Sequence, residues 1–167
     1  IGHDIIGVDV DPHKLHLFRQ GRSPINEPGL DALLGRMVKA GRLTVTDDTA
    51  AAVRQSEISL VCVGTPSRKN GSLESGYLER VIEQIGQSLA GHTSYHVVAV
   101  RSTLLPGVLN RTLVPILERA SGRKVATSLA LGSLASSVIA FTCFNIAPAT
   151  LFGSGAFGVP TLVWLGL

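Results

Sequence analysis

Between Asp4 and Gly122 the chain alternates short β-branched runs with stretches whose apolar residues recur at helical spacing. Ile5-Ile6-Gly7-Val8-Asp9-Val10 stops at Asp11-Pro12, the pattern of a buried strand meeting a turn. Pro12 suits the first turn of a helix, where its missing N–H has no intrahelical partner, and the helix predicted over 13–20 ends at Gly21. Pro24 and Pro28 forbid a continuous helix through the next connector. Leu30, Leu33, Leu34, Met37 and Val38 then fall on one helical face that ends near Gly41. Leu43 to Thr46 alternates as a strand, and Asp47-Asp48-Thr49 offers cap oxygens to a short helix through Ala52 and Val53. Ile58 to Val63 predicts the next strand, closed by Gly64-Thr65-Pro66-Ser67. Leu78, Val81, Ile82, Ile85 and Leu89 mark a second amphipathic helix. Val97 to Val100 predicts a further strand, and Leu109, Leu113, Ile116, Leu117 and Ala120 a helix that stops at Ser121-Gly122.

Strand and helix therefore alternate four times, which predicts an α/β fold: a parallel sheet with helices on both faces. Such sheets bind ligands outside the carboxyl ends of their strands. The polar residues there are Asp9, Thr65 beside Pro66, and Ser102 with Thr103, so Asp9, Gly64 and Arg101 are expected along one edge. Three such ends describe a groove able to hold a nucleotide. Ser, Thr and Asp are also ordinary turn and cap residues, so spacing alone leaves that reading open.

A length of 167 residues suits one domain, and 45% hydrophobic with 16% charged residues excludes disordered and disulfide-rich classes. Cys62 and Cys143 stand apart with no companion spacing, so neither a metal site nor a disulfide is expected, and a reducing cytoplasm fits. The net charge of +3 is scattered, which argues against a nucleic-acid surface. Its distribution is uneven. All 15 Lys plus Arg and all 12 Asp plus Glu precede Val125, whereas a stretch of that length would ordinarily hold about seven charges. The break divides the chain into a charged unit over 1–124 and an uncharged tail over 125–167. Leu129 to Ala147 is long enough to cross a bilayer at about 20 residues, but its Ser, Thr, Gly and Asn content and the prolines at 148 and 160 argue against that. A native strand pair and a replaced, out-of-frame tail are the other readings, and the last fits the coincident change of composition. With neither a 3.6 nor a 2 period, the tail is expected to make little stable contact with the sheet.

Gly2-His3-Asp4-Ile5-Ile6-Gly7-Val8-Asp9, Ser23 to Leu30, Cys62 to Ser67 and Val100-Arg101-Ser102-Thr103-Leu104-Leu105-Pro106-Gly107 together resemble the N-terminal, cofactor-binding domain of the UDP-glucose/GDP-mannose dehydrogenase family. The loop Thr65 to Leu73 resembles its GDP-mannose 6-dehydrogenase branch. The resemblance implies an NAD-dependent oxidoreductase that carries the C6 alcohol of a nucleotide sugar to a uronic acid. By motif, Asp9 would hold the adenosine ribose, Lys14 would approach the cofactor from the side, and Thr65 and Thr103 would line the nicotinamide half. A carboxylate at that strand end accepts two ribose hydroxyls and repels an added phosphate. Asp11 remains a rival to Asp9 on spacing.

The family opens with a strand and a G-x-G-x-x-G turn that receives the pyrophosphate, and nothing of it precedes Gly2. The expected sheet is thus Rossmann-like but incomplete, its first strand absent and its place either a slot or filled by a tail segment. The family's substrate-clamping segment, dimerisation region and catalytic cysteine are also not found, so no residue is assigned a catalytic role. The expected function is that of a fragment of a nucleotide-sugar 6-dehydrogenase, truncated at both ends and inactive as given. The alternatives are a noncatalytic nucleotide-binding module and a membrane-tethered interaction protein.

Overall fold

The computed structural model describes residues 3–64, 66, 75–102, 104–125, 129–132 and 162–165. The elements run β1 (Ile5–Val8), α1 (Pro12–Arg19), α2 (Leu30–Lys39), β2 (Leu43–Thr46), α3 (Thr49–Arg54), β3 (Ile58–Val61), α4 (Gly76–Leu89), β4 (His96–Val100), α5 (Val114–Ser121), β5 (Leu129–Gly132) and β6 (Leu162–Leu165). The strands form one sheet in the order β2-β1-β6-β3-β4-β5, with every neighbouring pair parallel. Thr46, Val8, Leu165, Val61 and Val100 lie in one row across it. The residues after β1, β3 and β4 therefore emerge along a single edge, as the expected strand ends require.

Local chemistry accounts for the element boundaries. Asp11 caps α1 by accepting the backbone N–H of His13, with Pro12 in the first turn. Asp48 caps α3 by accepting the N–H of Ala51. The helix predicted from Leu109 begins instead as a π-helical turn, Leu109–Leu113, before α5. Pro115 explains the wider turn: it has no N–H to return to the carbonyl four residues back, and its ring presses on that carbonyl. β3 ends at Val61, two residues earlier than the apolar run suggests.

The core lies under one face of the sheet. Val8, Val61, Val98 and Val100 meet Ala52 and Val53 of α3, Leu78, Ile82, Ile85 and Leu89 of α4, and Leu117 of α5. Right-handed crossovers leaving β1 toward β2 and β3 toward β4 run in opposite directions, which sets α1 and α2 on the other face. Gly86 is required where α4 meets α5, because a Cβ there would lie 2.6 Å from that of Ala120. The apolar face of α2 forms as predicted but is only half covered, with Leu33 and Met37 exposed.

Two tail segments depart from the expectation of little contact with the sheet, and one of them meets the expectation that a tail segment fills the absent strand's place. β5 pairs with β4, and β6 pairs on one side with β1 and on the other with β3. The place expected for an absent first strand is thus occupied by the strand that comes last in sequence. Because Leu129–Gly132 is a strand, a spanning helix does not begin there. Among the described residues no helix is long and apolar enough to cross a membrane.

Candidate functional site

β1 delivers Asp9 to the carboxyl edge, and the turn into α1 fixes its carboxylate. Asp9 Oδ1 accepts the backbone N–H of Asp11 at 2.8 Å, and Oδ2 lies 3.3 Å from Lys14 Nζ. The Asp9 side chain is 9% exposed. Two bonds leave about half of a carboxylate's roughly four acceptor positions for a ligand. Asp11, the rival to Asp9 on spacing, accepts the backbone N–H of His13 through Oδ1 at the first turn of α1. Lys14, one turn into that helix, completes an ion pair beside the edge.

These two residues line a cavity of about 640 Å³, within the range of about 300–1,000 Å³ typical of small-molecule sites. One wall is Val8, Asp9, Val10 and Lys14; the other is Cys62, Val63, Gly64 and Pro66 after β3, with Tyr77, Arg80, Val81 and Gln84 of α4. Thr49 also lines it. The Arg80 guanidinium sits 4.8 Å from the centre of the Tyr77 ring, a cation–π contact that holds two planar groups at the mouth. The cavity offers apolar walls for a flat base and an ion pair for a polyol or a charged group.

Asp9 and Lys14 are thus brought together. Thr65 and Thr103 lie outside the described residues, although Gly64 and Pro66, which flank Thr65, line the cavity. Ser102 has another use: its hydroxyl donates to the Val63 carbonyl at 2.7 Å, tying the chain after β4 to the chain after β3. Among the described residues no group of three or more His, Cys, Asp or Glu could hold a metal ion.

The α4 contribution was not read from the sequence. Tyr77, Arg80 and Gln84 form a polar row beside the apolar face of the helix, so the i, i+3, i+7 spacing was a usable signal. Cys62, within the strand expected over Ile58 to Val63, is half-buried just past the end of β3. Gly153-Ser154-Gly155-Ala156-Phe157-Gly158 also has G-x-G-x-x-G spacing, outside the described residues. The fingerprint requires a strand before it and a helix after it, whereas here a strand, β6, follows.

A parallel sheet in this order, with helices on both faces and a carboxylate at the edge beside the central strand, is a doubly wound dinucleotide-binding fold. The match to known proteins is more specific. The chain belongs to the UDP-glucose/GDP-mannose dehydrogenase family, whose NAD binding domain matches residues 1–135. It is 47% identical over 132 residues to a GDP-mannose 6-dehydrogenase of Pseudomonas aeruginosa, covering 79% of this chain and 30% of that protein. A GDP-mannose 6-dehydrogenase of Azotobacter vinelandii is 42% identical over 155 residues, covering 91% of this chain and 36% of the relative. The crystal structure of a ternary complex of the Pseudomonas aeruginosa GDP-mannose dehydrogenase superposes with a TM-score of 0.77 at 47% identity, over 78% of this chain and 30% of that one. The chain thus spans about a third of the length of these relatives.

Proposed function

We propose that this chain supplies the adenosine-holding part of the NAD site of a nucleotide-sugar 6-dehydrogenase of the GDP-mannose type. The observation that carries the reading is the Asp9–Lys14 pair on the wall of a cavity at the carboxyl edge of the sheet. Asp9 accepts the two ribose hydroxyls with its unused lone pairs, and its charge disfavours a 2′-phosphate, giving preference for NAD over NADP. Lys14 restrains that carboxylate and offers positive charge to the diphosphate. The walls of Val8, Val63 and Val81 accept the adenine ring, with Gln84 as a further polar lining residue for its edge. Thr65 and Thr103 are proposed for the nicotinamide half, which when bound accepts hydride from the sugar C6. GDP-mannose is favoured over UDP-glucose by the identity to GDP-mannose 6-dehydrogenases. A cytoplasmic setting suits the unpaired Cys62 thiol.

Titration of the 167-residue chain with NAD, ADP-ribose and NADP, followed by NMR at millimolar nucleotide, tests this. Weak binding is expected, on the order of −4 to −6 kcal/mol, with ADP-ribose close to NAD and both ahead of NADP. Asp9→Ala removes hydrogen bonds to a charged group, about 1.5–3 kcal/mol each, and should abolish measurable binding. No NADH absorbance is expected from this chain with either nucleotide sugar. Wild-type affinity retained in the Asp9→Ala and Lys14→Ala chains would overturn the assignment.

A further inference from the structure

The cavity has two walls from opposite halves of the sheet, and neither β1 nor β3 pairs with the other. Between them lies β6, all four residues of which align with Ile5–Val8 on one side and Ile58–Val61 on the other. Its direction sets its carboxyl end, Leu165, beside Val8 and Val61, immediately before Asp9 and Cys62 enter the cavity lining. We propose that residues 162–165 are the strand that assembles the nucleotide cavity, so that insertion of β6 and nucleotide binding reinforce each other. The proposal rests on the nucleotide reading above and adds the element that controls it.

Backbone hydrogen bonding makes the dependence specific. Ile5 and Asp9 donate their N–H groups to Arg42 and Thr46, on the β2 side. Val97 and Arg101 donate to the carbonyls of Glu57 and Val61, on the β4 side. Successive residues of a strand point their N–H and C=O groups to alternate sides. Ile6 and Val8 of β1, and Ile58 and Leu60 of β3, therefore turn toward β6. With β6 withdrawn, those groups lose their partners in a part of the molecule where Val8 and Val61 are buried, and unpaired buried backbone groups are strongly disfavoured. Among the described residues the two halves would then be joined chiefly through the packing of α3 on α4 and β1, and the distance between Asp9 and the α4 wall would no longer be set by the width of one strand. Linkage demands the converse: a ligand that bridges both walls must favour the inserted strand by the same factor.

Amide hydrogen exchange and ADP-ribose titration on the full chain test this together. In the wild-type chain ADP-ribose should slow exchange at Ile6, Val8, Ile58 and Leu60 more than at Ile5, Gly7, Ser59 and Val61, which face other strands. Val163→Pro removes a ladder donor from β6; it should speed exchange selectively at the first four amides and weaken ADP-ribose binding about tenfold or more. A peptide of residues 160–167 with a solubilising lysine tail should restore both. Lys14→Ala, by contrast, should lose ADP-ribose binding and keep the amide pattern. If Val163→Pro prevents folding, the wild-type response to ADP-ribose decides alone. Uniform slowing across both sets of amides, or an exchange change in Val163→Pro with ADP-ribose affinity within twofold of wild type, would overturn the proposal. Failure of the wild-type chain to bind ADP-ribose would overturn the nucleotide reading and the coupling with it, while the amide pattern would still report whether the strand inserts.

Discussion

His96 is a polar side chain held inside the sheet. It is fully buried, with Nε2 2.8 Å from the Ser59 hydroxyl and Nδ1 3.1 Å from the Ser56 carbonyl. A carbonyl can only accept, so Nδ1 carries the proton and Nε2 accepts from Ser59, which defines the neutral tautomer. Burial pushes its pKa down from 6.5 to about 4, opposed by the Ser56 hydrogen bond and aided by the positive charge of His92 and Arg123. A histidine held neutral when folded contributes stability that is complete above its unfolded pKa and is lost as pH falls from about 6.5 toward 4, up to about 3 kcal/mol. Urea midpoints should therefore decline through that window. His96→Phe should flatten this part of the profile while lowering stability at pH 7, because the Ser56 carbonyl and the Ser59 hydroxyl lose a partner. A profile unchanged by the substitution would show that other groups govern acid sensitivity. None of this chemistry touches the cavity, which lies at the opposite edge of the sheet.

Helix α4 builds both the core and the cavity wall, and positions off that wall can be altered without touching the site. Gly86→Val should be destabilising by about 1–3 kcal/mol, because the added carbons meet Ala120 and the Leu117 carbonyl; thermal unfolding reads the effect directly. Asp48→Ala should remove about 1 kcal/mol by leaving the first turn of α3 uncapped. These elements were legible because the cause of each is local: a cap carboxylate, a proline, or the spacing of Leu78, Ile82, Ile85 and Leu89. What escaped local reading depends on distant partners. The early end of β3 puts Cys62 in a cavity wall, and the polar row of α4 acquires meaning only when β1 faces it. The half-covered face of α2 shows the converse, since helical periodicity predicts a face but not its partner. Of the residues lining the candidate cavity, Asp9 and Lys14 are named by motif resemblance, while Tyr77, Arg80 and Gln84 are brought there by tertiary packing.

At the scale of the whole molecule, the compositional break after Lys124 is not a boundary of the sheet. Leu162-Val163-Trp164-Leu165 has no alternation and no local mark of its partners, which is why its central position could not be read from the pattern. Removing residues 126–167 should expose the facing edges of β1 and β3 and the outer edge of β4. Unpaired apolar edges template association, so the shortened chain should form large species in sedimentation while the full chain does not. A monodisperse shortened chain with the same circular dichroism would show that the remaining strands close up unaided.

The position of β6 also orders events in time. Ile5 and Leu162 are direct neighbours in the sheet, although nearly the whole chain separates them. Such pairings close the largest loops and are reached late, because the entropy of closure must be met before the contact contributes. During synthesis, β1, β2, β3 and β4 all leave the ribosome before the strand that joins them, so two partial sheets must wait side by side with open edges. At about 5–20 residues per second, the stretch between Val100 and Leu162 corresponds to an interval of seconds in which a chaperone or a neighbouring chain can reach those edges first.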